Sequence, residues 1–356
     1  MDITSVGADL AKEIITVYAV DAAGQKRQLR DLRRKEFGAW LAGLPKGCIV
    51  GMEACGSSHH WGRMMLALGL VPKIMAAEFV KPFRKSRSTK NDHNDAEAIC
   101  TAVRQPNMRF VAVKTIDQQQ RLSWHRMREG WKEERTALIN RSRGLLAEFG
   151  IVIGRSSAAF TRALTGLIRD ETVPATLRTL LDRVQKQLLV LDEQLAQCDH
   201  AIAQQARHCE AAKRLQAISG VGVITADAIT ASVGDARDFR NGRQFAAWHG
   251  ITPKQFSSGG TTRLGRITRR GDAYLRTLLV QGARSTLQVA LKRAPDKLTR
   301  LQQWIVQLYA RAGYHKTLVA IANKHARMIW VILAKGEAFD ANAWEKYQVG
   351  TNEQGM

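Results

Sequence analysis

Apolar and polar residues alternate through the first 30 positions, and β-branched side chains are frequent, as in Ser5-Val-Gly-Ala-Asp-Leu and Ile14-Ile-Thr-Val-Tyr-Ala-Val. A period of two predicts strands across 3–30. The pattern then changes. A helix is predicted over Arg33–Leu44, a strand ending at Glu53, a helix near Ser58–Leu68, a strand over Val71–Met75 and a helix from Asn94 to Arg104. Strands followed by interleaved helices and strands make residues 1–116 an α/β segment, an order that several α/β folds share.

Beyond Asp117 the pattern is helical. Gln118–Phe149 is basic and carries Trp124, Trp131, Leu138 and Leu145 at seven-residue intervals. In Ala175–Arg207, which no Gly or Pro interrupts, Leu177, Leu181, Val184, Leu188, Leu191, Leu195, Cys198 and Ile202 alternate spacings of four and three. That seam predicts a coiled coil, either a hairpin within the chain or a contact between protomers, and sets off 117–210 as a helical region. From residue 211, Leu215-Gln-Ala-Ile-Ser-Gly-Val-Gly-Val-Ile-Thr-Ala reads as helix, a hairpin at Gly220 and Gly222, and helix. Such a helix-hairpin-helix binds a nucleic-acid backbone without reading bases, although tight helix–helix turns use the same glycines. An irregular loop, Lys254 to Gly271, follows, and three helices are predicted over 272–335, parted near Pro295 and Gly313. Residues 336–356 read as a tail.

Charge narrows the class of partner. The 356 residues carry a formal net charge of +22. It is concentrated late: residues 211–335 hold 21 Lys and Arg against 5 acids, and within 239–293 there are 11 against Asp272 alone. A globular segment this cationic repels itself unless a polyanion screens it, so nucleic acid is the expected partner. No 18-residue apolar stretch is evident, and the start, Met1-Asp-Ile-Thr-Ser, lacks the layout of a signal peptide, so a cytoplasmic protein with no membrane contact is expected. Five cysteines without a C-x-x-C pair predict reduced thiols, neither disulfides nor a zinc site.

Against this basic background four acids stand out. Asp9 and Glu53 sit near the ends of apolar strands, and Asp92 and Asp95 are three apart at a helix start, so both can point to one spot. Taken singly, each acid is explained by a turn, a cap or a helix dipole. Taken together, four carboxylates from three segments are what one or two Mg²⁺ ions require. Asn91 and Asn94 are read as turn formers, Glu97 as a surface acid, and His59-His60 as surface residues or supports of the site. The tryptophans at helical spacing, and Trp248, are read as core.

These motifs resemble those of one family, the DEDD transposases of bacterial insertion sequences, the insertion-sequence one-ten family. The resemblance rests on Gly7-Ala-Asp9-Leu-Ala-Lys, Met52-Glu53-Ala-Cys-Gly, Lys90-Asn-Asp92-His-Asn-Asp95-Ala, Ile218-Ser-Gly-Val-Gly222, Gly250-Ile-Thr-Pro253, and Ser257-Ser258-Gly-Gly followed by Arg266-Ile-Thr-Arg-Arg-Gly271. It runs from the first strand to about residue 335, nearly the whole chain. It departs slightly at Ala8, where the family often has Ile or Val. The resemblance implies an N-terminal ribonuclease H-like, RuvC-like domain, central coiled-coil helices and a C-terminal helical transposase domain with a helix-hairpin-helix. It further implies a Mg²⁺-binding catalytic tetrad of Asp9, Glu53, Asp92 and Asp95, and a nucleophile at Ser258, with Ser257 adjacent. Partners would be donor and target double-stranded DNA, a guide (bridge) RNA, and further copies of the chain in a dimer or tetramer, whose composite site takes its two domains from different protomers. Arg263, Arg266, Arg269, Arg270 and Arg276, beside a Gly-rich loop, suit phosphate contacts. Two other readings stay open on the residues: a junction-resolving nuclease in which water attacks, and a non-enzymatic nucleic-acid scaffold.

Overall fold

The structure, a computed structural model, describes residues 3–84, 91–256, 260–261 and 263–340. The chain divides into two compact units, Met1–Gln118 and Gln119–Met356.

In the first unit β1 (Ser5–Leu10), β2 (Ile14–Val20), β3 (Lys26–Arg33), β4 (Ile49–Glu53) and β5 (Val71–Met75) form one sheet in the order β3-β2-β1-β4-β5. Strands β1 to β3 pair antiparallel, while β4 runs parallel to β1 and β5 parallel to β4. The helices are α1 (Arg34–Ala42), α2 (Ser58–Ala67), α3 (Ala77–Val80) and α4 (Asp92–Val103). Because successive side chains alternate between faces, Val6 and Ala8 of β1 and Val50 and Met52 of β4 share one side. There they join Phe37 and Leu41 of α1 and Trp61 and Met65 of α2 in a buried core. The opposite side carries Gly7 and Gly51, which are register partners. A methyl group on Gly7 would fall on the Ala96 carbonyl oxygen, and one on Gly51 would meet Val103 Cβ at 2.9 Å. The paired glycines are thus a seat that lets α4 lie directly on the strands. Helix α4 starts where Asn91 accepts the His93 amide at 3.0 Å, which places Asp92 and Asp95 in its first turn.

The second unit opens with three helices, α5 (Ile116–Ala147), α6 (Ser157–Arg169) and α7 (Ala175–Arg207). The predicted seam of α7 is buried inside the chain. Leu177, Leu181, Val184 and Leu188 cluster with Ile139 and Leu146 of α5 and Phe160 and Leu164 of α6. Ion pairs Arg128–Asp199 (2.6 Å) and Arg135–Asp192 (2.5 Å) advance by seven residues on α5 as they retreat by seven on α7, so the two helices run antiparallel. The stripe on α5 differs from the expected one. Leu122, His125, Ile139, Ser142 and Leu146 are buried, whereas Trp124 and Leu145 stand 39% and 46% exposed. On a long basic helix the heptad of large residues gave the period but not the face that meets the partner.

The remaining elements are α8 (Glu210–Leu215), α9 (Val223–Ser232), α10 (Gly242–Trp248), the hairpin of β6 (Pro253–Gln255) and β7 (Leu264–Ile267), α11 (Ala273–Lys292), α12 (Arg300–Ala312) and α13 (Tyr314–Lys335). A core including Leu215, Ile229, Phe245, Leu279, Ile305 and Ile329 unites these helices. Helix α13 is long and apolar enough, by length and composition, to cross a bilayer, and Leu318, Ile321, Ala322, Ala326 and Ile329 along it are buried in this core.

Candidate active site

Strand register assembles the polar residues of the first unit into a row. Asp31 of β3 pairs with Thr16 of β2, and Thr16 with Asp9 of β1. Ala8 lies beside Met52, so the next step along these parallel strands sets Asp9 beside Glu53. All four side chains are on the side that α4 covers, since Gly7 and Asp9, like Gly51 and Glu53, are two apart. Above the row lies the first turn of α4. Asp95 is 5% exposed, and Asp92 is exposed. The structure therefore brings the four sequence-predicted acids to one end of one face.

Among the described residues Arg84 spans two of them. It places Nε 2.9 Å from Asp95 Oδ1 and a terminal nitrogen 3.4 Å from Glu53 Oε1. Among the described residues no three acidic, histidine or cysteine side chains are drawn together closely enough to cage a metal ion. The guanidinium stands where positive charge is needed between two carboxylates. Oxygen donors from three segments are also the ligand set that a hard divalent cation prefers, so the residues fit such an ion.

At the row's far end His93 Nε2 lies 3.1 Å from Asp31, and the Thr16 hydroxyl donates to the same carboxylate at 2.7 Å. These two partners, Thr16 first, hold the Asp31 carboxyl below its ordinary range. Cys55, two residues past Glu53, has its thiol pushed up by partial burial of the sulfur and then by the charges of Asp9 and Glu53. His59 Nδ1 accepts the Lys114 amide at 3.2 Å, a structural tie.

In the second unit Ser258 and Ser257 lie between β6 and β7, outside the described residues. The root of that hairpin is closely defined. Phe256 donates to the Arg263 carbonyl at 2.8 Å, and Arg269 to the Gly250 carbonyl at 3.1 Å. Gly250 (φ +70°) and Gly271 (φ +78°) lie back to back: a methyl group on the first would strike the Arg270 carbonyl, and one on the second the Trp248 carbonyl. Arg276 donates to the carbonyls of His249 (3.2 Å) and Arg270 (3.1 Å), stitching both strands of the root to α11. Arg263, Arg266, Arg269 and Arg270 are all exposed on this hairpin and its root. The helix-hairpin-helix shape is present between α8 and α9. Its glycines divide their roles: Gly220 (φ +85°) packs its backbone on Gly282 of α11, while Gly222 faces open space.

Sequence reasoning missed Arg84, Asp31, Thr16 and His93. For Thr16 the signal was a lone hydroxyl in an apolar strand; Arg84 is one of several cations in a run, and only geometry singles it out.

Comparison with known proteins agrees over most of the chain. Residues 6–151 match the family model of the DEDD transposase of IS110 type, and residues 212–298 match that of the transposase IS116/IS110/IS902 family. A Pseudomonas aeruginosa protein named "Probable family 20 transposase" is 40% identical over 94% of this chain and 98% of its own length. The transposase for insertion sequence element IS1111A of Coxiella burnetii is 36% identical over 96% and 93%. That for element IS1328 of Yersinia enterocolitica is 35% identical over 95% and 99%.

Proposed function

The chain belongs to the IS116/IS110/IS902 family of transposases, and from that premise we propose that it cuts and rejoins DNA with Ser258 as nucleophile and Asp9, Glu53, Asp92 and Asp95 as a Mg²⁺-binding tetrad. The observation that carries this reading is the convergence of the acids on the α4 side of the sheet, with Glu53 and Asp95 close enough to share one guanidinium. The sheet order β3-β2-β1-β4-β5, with β2 antiparallel to its neighbours, is that expected of a ribonuclease H-like, RuvC-like domain. On this reading residues 117–210 are a coiled-coil arm and 211–335 the transposase domain. When bound, Mg²⁺ supplies positive charge for the phosphate and the departing sugar oxygen.

The protein's own residues do the rest. The Ser258 oxygen attacks phosphorus, its proton passes to a base, and the sugar oxygen departs with a proton as the phosphoserine bond forms. The reverse reaction with another sugar hydroxyl rejoins DNA without external energy. Arg263, Arg266, Arg269 and Arg270 neutralise the reacting phosphate. Small residues at 257–260 leave room for the DNA backbone, and Gly222 offers a second open approach before the N-terminus of α9. Donor and target DNA are chosen through a bridge RNA, and the enzyme works in the cytoplasm, at the nucleoid, as a dimer or tetramer.

The test is a denaturing gel of labelled DNA incubated with protein, guide RNA and Mg²⁺. Wild type gives a shifted, protease-sensitive band, which Ser258→Ala loses and Ser257→Ala largely keeps; EDTA abolishes it. Cleavage by Ser258→Ala with no adduct from wild type transfers the case to a nuclease that activates water.

A further inference from the structure

The most deeply buried ionic group of the second unit has no part in the chemistry above. Asp227, on α9, is fully buried, and Arg121 and His125, one turn apart on α5, are 8% and 1% exposed. Arg121 donates to Asp227 Oδ1 through Nε at 3.1 Å and a terminal nitrogen at 2.6 Å, and also to the Thr230 hydroxyl at 2.6 Å. The second oxygen, Oδ2, lies 3.0 Å from His125 Nε2, and His125 Nδ1 lies 2.9 Å from the Tyr274 hydroxyl. His125 thus bridges the carboxylate of Asp227 and the phenol of Tyr274 through its two ring nitrogens. Burial, and then Glu129, push the Tyr274 phenol above its ordinary range, so it remains a donor and is no candidate nucleophile.

Both ends of this chain lead to places that matter. Arg128, one turn beyond His125, pairs with Asp199, and Arg135 with Asp192, so α5 is aligned with α7 from here outward. Tyr274 lies in the first turn of α11, two residues after Asp272, which accepts the amides of Tyr274 (2.7 Å) and Leu275 (3.2 Å). In the same turn Arg276 holds the His249 and Arg270 carbonyls, the two strands of the serine hairpin's root. Hydrogen bonds on either side of the first turn of α11 therefore link the arm to the hairpin through that turn.

We infer that Asp227, His125 and Tyr274 form a positioning relay, which fixes the root of the β6–β7 hairpin, the segment whose sequence carries Ser258, to the base of the α5–α7 arm. The inference rests on the proposed role of Ser258. Each of the three residues acts through the first turn of α11.

The experiment uses the full chain and the variants Tyr274→Phe, His125→Leu and the pair. Tyr274→Phe removes one hydroxyl and leaves the ring's packing intact. Its adduct formation should fall roughly tenfold in kcat, the scale of one lost buried hydrogen bond, with half-saturating DNA unchanged. The double variant should be no slower than the slower single one, since both break the same chain. A second readout needs no activity. The amides of Thr268 and Arg269, bonded to the Thr252 and Gly250 carbonyls across the root, should exchange hydrogen faster in Tyr274→Phe than in wild type. Unchanged exchange together with unchanged kcat overturns the inference, as do losses that multiply in the double variant. If wild type itself forms no adduct, the Ser258 reading fails, and the exchange rates still decide whether Tyr274 holds the root.

Discussion

Replacing Arg84 with Gln tests the acid site without touching an acid. Its guanidinium lies 2.9 Å from Asp95 and 3.4 Å from Glu53, and 32% of the side chain is exposed. At an effective permittivity of about 20, each contact is worth roughly 5 kcal/mol of bare attraction. Desolvation and the fixing of a long side chain offset most of that, leaving about 1–2 kcal/mol for a half-open pair of contacts. A divalent cation must displace this internal counter-ion before it can use the same carboxylates. Removing it should therefore tighten Mn²⁺ binding about 5- to 30-fold, measured from the electron paramagnetic resonance signal of free Mn²⁺ titrated into protein without DNA. Without metal the sign reverses: Asp95, nearly buried, loses its partner, so Arg84→Gln should melt earlier in EDTA and gain more from added Mn²⁺ than wild type does. Arg84→Lys keeps the charge but not the fork and should fall between. Equal or weaker Mn²⁺ binding by Arg84→Gln would refute the claim that the guanidinium and the cation share a place.

Two further outcomes follow from the second unit. Leu188→Asp puts a charge into a position 3% exposed and should cost about 3–5 kcal/mol in urea unfolding while leaving the oligomeric mass unchanged, because the seam is buried within the chain; a change of mass at constant stability would place the seam between protomers instead. His249 and His325 are buried with no hydrogen-bond partner for either ring nitrogen among the described residues, and burial lowers them to about 3 and about 4. The unfolded chain takes up these protons first. Stability should thus be full above about pH 6.5 and decline toward pH 4 by about 1.4 kcal/mol per pH unit for each histidine, and His249→Leu with His325→Leu should flatten that slope in urea midpoints; an unchanged slope assigns the acid sensitivity elsewhere.

How far the sequence could be read depended on the distance over which the information is local. The strands, the helix starting at Asn91 and the period of the α7 seam are local patterns, and each is present in the structure. Asp31, Thr16 and His93 complete the polar row only through strand register, which no window of sequence contains. The α5 stripe was displaced because Trp124 and Leu145 look like core by type, while the residues buried on α5 include Arg121, His125 and Ser142, which do not. Asp227 and His125 are 102 residues apart and of types that usually stay at least partly exposed; only the fold reveals that they are buried together. The coiled-coil pattern left open whether its partner was the same chain, and the pairs Arg128–Asp199 and Arg135–Asp192 decide that for the buried seam.

The sheet's two faces also give a mutational scan of the first unit a rule of parity. In β1 and β4 the even-numbered residues, Val6, Ala8, Val50 and Met52, point into the core; the odd-numbered Gly7, Asp9, Gly51 and Glu53 point toward α4. In β2 the sense inverts, with Ile15, Val17 and Ala19 in the core and Thr16 in the polar row. Substitutions of one parity should lower protein abundance. At Asp9 and Glu53, of the other parity, they should yield soluble protein that no longer transposes, while Gly7 and Gly51 should fail on both counts, because they carry the helix that brings Asp92 and Asp95 to the site. Abundance and transposition, scored side by side, should fall together at 6–8 and 50–52 and part company at Asp9 and Glu53, a signature that reports strand register in living cells.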